Sequence, residues 1–171
     1  MKIAIFSDSH DNILNLEKFL EWCQKNKIKQ LIFCGDLCAP STLKEVLGPK
    51  FKGKIHLVFG NVGDKNLEIE VASNFPHIKH HGDVGEIKIC NKKIAFTHFP
   101  QKAKELASTG KYDIIFYGHT HKPWIEKITV KKTKPVYLVN PGTLAGMFYK
   151  ATFAVYDTKK NKFELKILEQ L

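Results

Sequence analysis

The sequence predicts an α/β protein built from two packed β-sheets with helices on the outside. Three observations lead there. The first half alternates apolar strand-like runs with amphipathic helical stretches, as β-α-β-α-β. The second half is dominated by strands, and no internal repeat or low-complexity linker divides the chain. One domain over residues 1–171 is expected, because a chain of this size, 43% hydrophobic, can bury roughly 70% of the surface its unfolded form exposes.

The elements follow in order. "KIAIFS", Lys2 to Ser7, is an apolar run expected as a buried strand. "ILNLEKFLEWCQK" reads as a helix, since Ile13, Leu16, Phe19 or Leu20, and Cys23 recur at helical spacing and Asn12 can cap the start. "QLIFCG" is the second strand. A short helix is expected after Pro40, ended by Gly48-Pro49. "KIHLVFG" is the third strand and "DKNLEIEVASNF" a weaker helix. "GEIKIC" and "KKIAFTH" are strands joined in a tight hairpin at Asn91-Lys92. "QKAKELASTG" is a helix closing on Gly110. "YDIIFYG", "PVYLVNPG", "ATFAVYD" and "KFELKIL" complete the strands.

Composition narrows the function classes. No apolar run approaches the ~20 residues of a spanning helix. "MKIAIFSDSH" lacks the long apolar stretch and cleavage site of a signal peptide, so a cytoplasmic protein without membrane association is expected. Cys34 and Cys90 read as core positions in strands, Cys23 as part of a helix face and Cys38 as a loop residue; none has C-x-x-C spacing, which argues against a zinc cluster or disulfide framework. The 27 basic residues against 17 acidic ones give a net charge of +10, and all 27 are lysine. Without arginine there is no bidentate guanidinium clamp and no arginine finger in cis. The lysines are scattered, densest in "KITVKKTK" from Lys127 to Lys134. Such a charge attracts anionic substrates or nucleic acid but does not by itself choose a function.

The residues after the strands carry the chemistry. Asp8, Ser9 and His10 follow the first strand, Asp36 the second, Asn61 the third, His98 the "KIAFT" run, and His119, Thr120 and His121 the "IIFYG" run. In an extended chain His119 and His121 would point to one side and reach one point or two neighbouring points. Taken singly, Asp8, Asp36 and Asn61 are ordinary turn residues and His98 an ordinary core-edge histidine. Five apolar runs ending in a metal-binding residue type are harder to explain that way, because sites in open α/β sheets lie beyond the carboxyl ends of strands. The other four histidines, His56, His77, His80 and His81, lie outside the pattern, and His80-His81 reads as a solvated loop. Mixed Asp, His and Asn ligands suit manganese, nickel, iron, zinc or cobalt better than calcium. Two such ions can neutralise a phosphate, which bears on the missing arginine.

The ordered set D-S-H, G-D, G-N, the His of "THFP" and G-H-T-H resembles the calcineurin-like metallophosphoesterase superfamily. With "NPGT" at Asn140 to Thr143 it is similar to the small prokaryotic phosphodiesterase branch, which in turn resembles the small retromer subunit of eukaryotes. The resemblance runs from Lys2 to about Leu168. It implies a four-layer α-β-β-α sandwich of two mixed β-sheets flanked by helices. It implies two divalent ions, one held by Asp8, His10, Asp36 and His121 and the other by Asp36, Asn61, His98 and His119, with Asn61 a candidate substrate contact. A metal-bridging hydroxide would attack phosphorus, and the activity would be hydrolysis of phosphodiesters or phosphomonoesters.

Two departures stand out. The third motif reads "GNVGD", so Val62 occupies the place where relatives carry a histidine or cysteine, and Asp64 is displaced by one position. "THFP" stands where small relatives read T-H-G-H. Asp64 is then the one protein group proposed to help the leaving group. The expected partner is a small phosphate ester or nucleotide; nucleic acid is less favoured, and a homo-oligomer remains open. The rival functions are a non-enzymatic scaffold of the retromer-subunit type and a nuclease or nucleotide-binding factor.

Overall fold

The computed structural model describes residues 1–129 and 134–171, so the dense lysine run falls partly outside the described residues. Strand β1 (Lys2–Phe6) leads to helix α1 (Ile13–Lys25). Asn12 caps α1 by accepting a hydrogen bond from the Asn15 N–H at 3.1 Å. Leu16, Phe19, Leu20 and Cys23 form its buried face, at the spacing the sequence shows. Strand β2 (Gln30–Phe33) follows.

The next helical segment does not stop at Gly48-Pro49. α2 (Pro40–Thr42), a π-helical turn (Leu43–Leu47) and α3 (Gly48–Lys50) run on without a break. Pro49 has no N–H to give and its ring crowds the preceding turn. The π-helical turn widens the spiral just ahead of it, with the Gly48 N–H reaching the Leu43 carbonyl. Gly48 also lets the Phe75 ring approach, since a Cβ there would lie 2.7 Å from it.

β3 (Lys54–Leu57), α4 (Lys65–Ser73) and a three-residue strand, β4 (Ile78–His80), come next. β4 changes the reading of two histidines: they are not solvated. His80 Nε2 lies 3.1 Å from Glu68 Oε1 with both side chains almost fully buried. His81 Nε2 lies 3.0 Å from His56 Nδ1, and its ring packs on Phe96. The hairpin of β5 (Val84–Ile89) and β6 (Lys92–Thr97) turns on Cys90 and Asn91, one residue earlier than expected. Cys90 is therefore exposed rather than in the core, with a φ of 53°, because a two-residue hairpin turn needs left-handed backbone.

The remaining elements are α5 (Pro100–Ser108), β7 (Ile114–Phe116), β8 (Trp124–Ile128), β9 (Val136–Asn140), β10 (Thr152–Asp157), β11 (Lys162–Ile167) and a closing 3₁₀ turn (Leu168–Gln170). β8 escaped the sequence reading because four of its five residues are exposed and no apolar alternation marks it.

The strands form two mixed sheets, ordered β11-β10-β1-β2-β3-β4 and β5-β6-β7-β9-β8. β1 pairs antiparallel with β10 (Ile3 opposite Tyr156) and parallel with β2 (Ile5 opposite Ile32). Alternation sends Ile3, Ile5 and Ile32 inward against Phe96, Phe116 and Val139 of the second sheet. It sends Ala4, Phe6, Leu31 and Phe33 outward against Leu16 and Phe19 of α1. On the far side Ala103 and Ala107 of α5 cover Ala95, Ile115 and Leu138. This is the four-layer α-β-β-α sandwich, and burial on both faces explains why its central strands read as continuous apolar runs. No helix among the described residues is long and apolar enough to cross a membrane.

Candidate metal centre

The loops after β1, β2, β3, β6 and β7 meet in one place. His121 Nε2 lies 3.3 Å from Asp8 Oδ1 and 3.2 Å from His10 Nε2. Beside this group, Asn61 Oδ1 lies 2.8 Å from both His98 Nε2 and His119 Nδ1, and those two nitrogens are 3.2 Å apart. Asp36 stands between the halves: its Oδ2 is 3.8 Å from His10 Nε2 and 3.4 Å from His98 Nε2. All seven residues singled out in the sequence are thus brought together. His119 and His121 serve neighbouring points rather than one, and neither is extended, with φ of 69° and 59°.

Backbone strain concentrates here. Asp8, His10, Asp36, His119 and His121 all have positive φ, between 40° and 69°. Non-glycine residues adopt this region at a cost, and such strain clusters at functional sites. Two glycines explain the G-N and G-H motifs. A Cβ on Gly60 would lie 1.8 Å from Asp36 Oδ1, and one on Gly118 would lie 2.0 Å from Ser7 Oγ and 2.8 Å from Asp8 Oδ2. The motif glycines are the space in which the carboxylates sit.

Four of the acceptor side chains are aimed by a second contact. The Asn61 and Val62 N–H groups donate to Asp36 Oδ1 at 2.7 and 3.1 Å, which leaves Oδ2 facing the centre. The His119 N–H donates to the Asp8 carboxylate at 3.1 Å. His98 Nδ1 donates to the Cys34 carbonyl at 2.8 Å, which turns Nε2 inward. His10 Nδ1 has Cys38 Sγ at 3.4 Å. Among the described residues His121 Nδ1 is buried without a partner. Burial raises the Asp8 carboxyl above its ordinary value. Burial opposes ionisation of Asp36 too, but hydrogen bonding and charge from His98, with the Val62 and Asn61 N–H groups, hold its carboxyl below the usual value. Burial likewise opposes protonation of His98, and the Asp36 carboxylate outweighs it. Crowded acceptors that include two buried carboxylates and facing imidazole nitrogens fit a bound cation.

Two features were not anticipated in the sequence. The "NPGT" segment works as a buckle. Asn140 Nδ2 donates to the Gly118 carbonyl and to Thr120 Oγ1, and Thr143 Oγ1 donates to the Asp8 carbonyl at 2.9 Å. It ties the first ligand loop to the last. Aromatic rings also border the centre. The Phe99 ring lies 5.0 Å from both His98 and His119, and the Phe148 ring 5.8 Å from His121. Asp64, the proton donor proposed from the sequence, caps α4: its Oδ1 accepts the Asn66 and Leu67 N–H groups at 3.0 Å.

Residues 1–161 match the calcineurin-like phosphoesterase superfamily domain. The chain is 28% identical to the phosphodiesterase MJ0936 of Methanocaldococcus jannaschii, over 99% of this chain and 100% of that protein. Among solved structures, an archaeal phosphodiesterase superposes with a TM-score of 0.84 at 27% identity, covering 98% of this chain and 99% of the other. The wild-type Vps29 of Entamoeba histolytica, complexed with zinc, shares the fold at 18% identity with a TM-score of 0.66, covering 98% and 99% of the two chains.

Proposed function

The chain belongs to the calcineurin-like phosphoesterase superfamily, and on that basis we propose that it is a phosphodiesterase working with two divalent cations. The observation that carries this reading is the meeting of seven acceptor-bearing side chains from five strand ends. One cation is assigned to Asp8, His10, Asp36 and His121, the other to Asp36, Asn61, His98 and His119. The intermediate position of Asp36 Oδ2 supports its sharing between them. Manganese suits the mixed donor set, as do nickel, iron, zinc and cobalt. Bound there, such ions supply Lewis acidity and make a water acidic enough to attack at neutral pH.

The chain's own residues hold and orient. Asn61 turns its Oδ1 to the two histidines, which leaves its Nδ2 to donate to a phosphoryl oxygen. Val62 cannot give a proton to a leaving alkoxide, and Asp64 is engaged as a helix cap. Stable leaving groups are therefore favoured. The experiment is to strip the protein with chelator, reload it with manganese, count ions per chain and assay bis(p-nitrophenyl) phosphate. Two ions per chain and restored turnover are expected. Two ions with no turnover of any mono- or diester would favour a second reading, a metal-bearing interaction module, to which the fold shared with Vps29 lends support.

A further inference from the structure

Among the described residues four aromatic side chains are exposed: Phe99 at 41%, Trp124 at 53%, Phe148 at 87% and Tyr149 at 46%. Two of them border the candidate metal centre, and the other two share a cleft with the loop that carries His119 and His121. Phe99 follows His98 directly and packs on it, and Phe148 leans on His121. Trp124 and Tyr149 line a cleft of about 390 Å³ together with Lys122 and Thr120, the residue between His119 and His121. Elsewhere in the fold the large rings are buried or half-buried. Exposing an aromatic ring forgoes the stabilisation its burial would give. Phe148 adds left-handed backbone, with a φ of 65°. Gathering that cost at one face points to a ligand.

The ligand's chemistry follows from the neighbours. The acceptor cluster and its cations would hold a phosphate. Lys122, whose Nζ lies 5.9 Å from the Trp124 ring centroid, adds a positive charge. Thr120 Oγ1 accepts from Asn140, so its O–H remains free to donate into the cleft. A phosphate beside flat, sequence-tolerant ring faces is the pattern that recognises nucleotides. A protein seated on the same rings would cover the ligand atoms that a working centre must keep open. We infer that Trp124 and Tyr149, with Lys122 and Thr120, form a shelf that stacks the base of a nucleoside phosphodiester while its phosphorus sits at the metal centre. This rests on the phosphodiesterase reading above and names its substrate class.

The test compares two diesters with one leaving group, thymidine 5′-(p-nitrophenyl phosphate) and methyl p-nitrophenyl phosphate, on the manganese-loaded protein. The wild type should favour the nucleoside ester in kcat/KM. Trp124→Ala should reduce that preference roughly tenfold, through KM, and Trp124→Phe should keep most of it, as expected for base stacking. Equal kcat/KM for the two esters in the wild type, or a Trp124→Ala loss shared equally by both, would overturn the inference. A second readout needs no turnover. Thymidine 5′-monophosphate should quench tryptophan fluorescence saturably in the wild type and not in Trp124→Phe. Absence of that difference overturns the shelf whether or not the protein is active. Quenching by a protein inert toward both esters would keep the shelf and sink the hydrolase reading.

Discussion

Asp36 is the residue proposed to serve both halves of the centre, because its Oδ2 faces His10 on one side and His98 on the other. Asp36→Asn keeps its shape and removes its charge. We expect it to lower metal occupancy below two per chain and cut turnover by more than roughly 100-fold, since second-shell changes alone cost about 10–100-fold. Two retained ions with near-normal turnover would remove Asp36 from the bridging role. Gly60→Ala should act on the same carboxylate from outside the ligand set, because its Cβ would fall 1.8 Å from Asp36 Oδ1; loss of metal without loss of helical circular dichroism is the expected signature. Val62 sets a different dependence. General acid help is typically worth about 10²–10⁴-fold, and a site without it should slow steeply as the leaving-group pKa rises across aryl and alkyl diesters. A flat profile with chemistry rate-limiting would mean that a proton donor exists. The seven residues were legible in the sequence because they follow the ends of five apolar runs. The buckle was not: Asn140 and Thr143 act through hydrogen bonds to carbonyls distant in sequence, and no local pattern encodes such a partner.

At the scale of elements, hydrophobic periodicity located the longer buried strands, and α1 to the residue. It missed β4, which is three residues long, and β8, whose surface is mostly exposed. It also placed an end at Gly48-Pro49 that the π-helical turn removes. The capping reading of Asn12 stands, with an addition. Its Nδ2 donates to the Ala145 carbonyl at 3.0 Å, so it joins the start of α1 to the segment leading to Phe148. Asn12→Ala should cost about 1–2 kcal/mol in denaturant unfolding. The β3–β4 edge carries a separate device. Burial holds His56 and His81 at about 4, below their ordinary 6.5, with Lys79 and Lys54 adding to His56, and His56, Lys79 and His80 to His81. Folded, both stay neutral; unfolded, they take up protons below about 6.5. Their contribution is thus whole above that pH and is lost as pH falls toward about 4. The melting temperature of His56→Gln should fall less across this window than that of the wild type; parallel curves would discard the account.

For the whole molecule, charge is the quantity to test. A net +10 spread over lysines alone could bind polyanions broadly or merely bias a small anion toward the centre. A surface making six to ten phosphate contacts loses roughly 10³–10⁵ in affinity between about 50 and 200 mM salt. A centre that takes one phosphodiester should change far less, and we expect kcat/KM for a small diester to vary by no more than roughly tenfold over that range, as one or two screened contacts would give. The sheet order has a further consequence. β1, made long before β10, lies between β2 and β10, and the main-chain groups of Ser7 and Asp8 are tied down by Leu144 and Ala145. While the chain emerges from the ribosome, one edge of β1 has no neighbour until residues 152–157 arrive. A growing chain would then carry an open, apolar edge until β10 is made, and a chaperone that shields strand edges would find its target at β1.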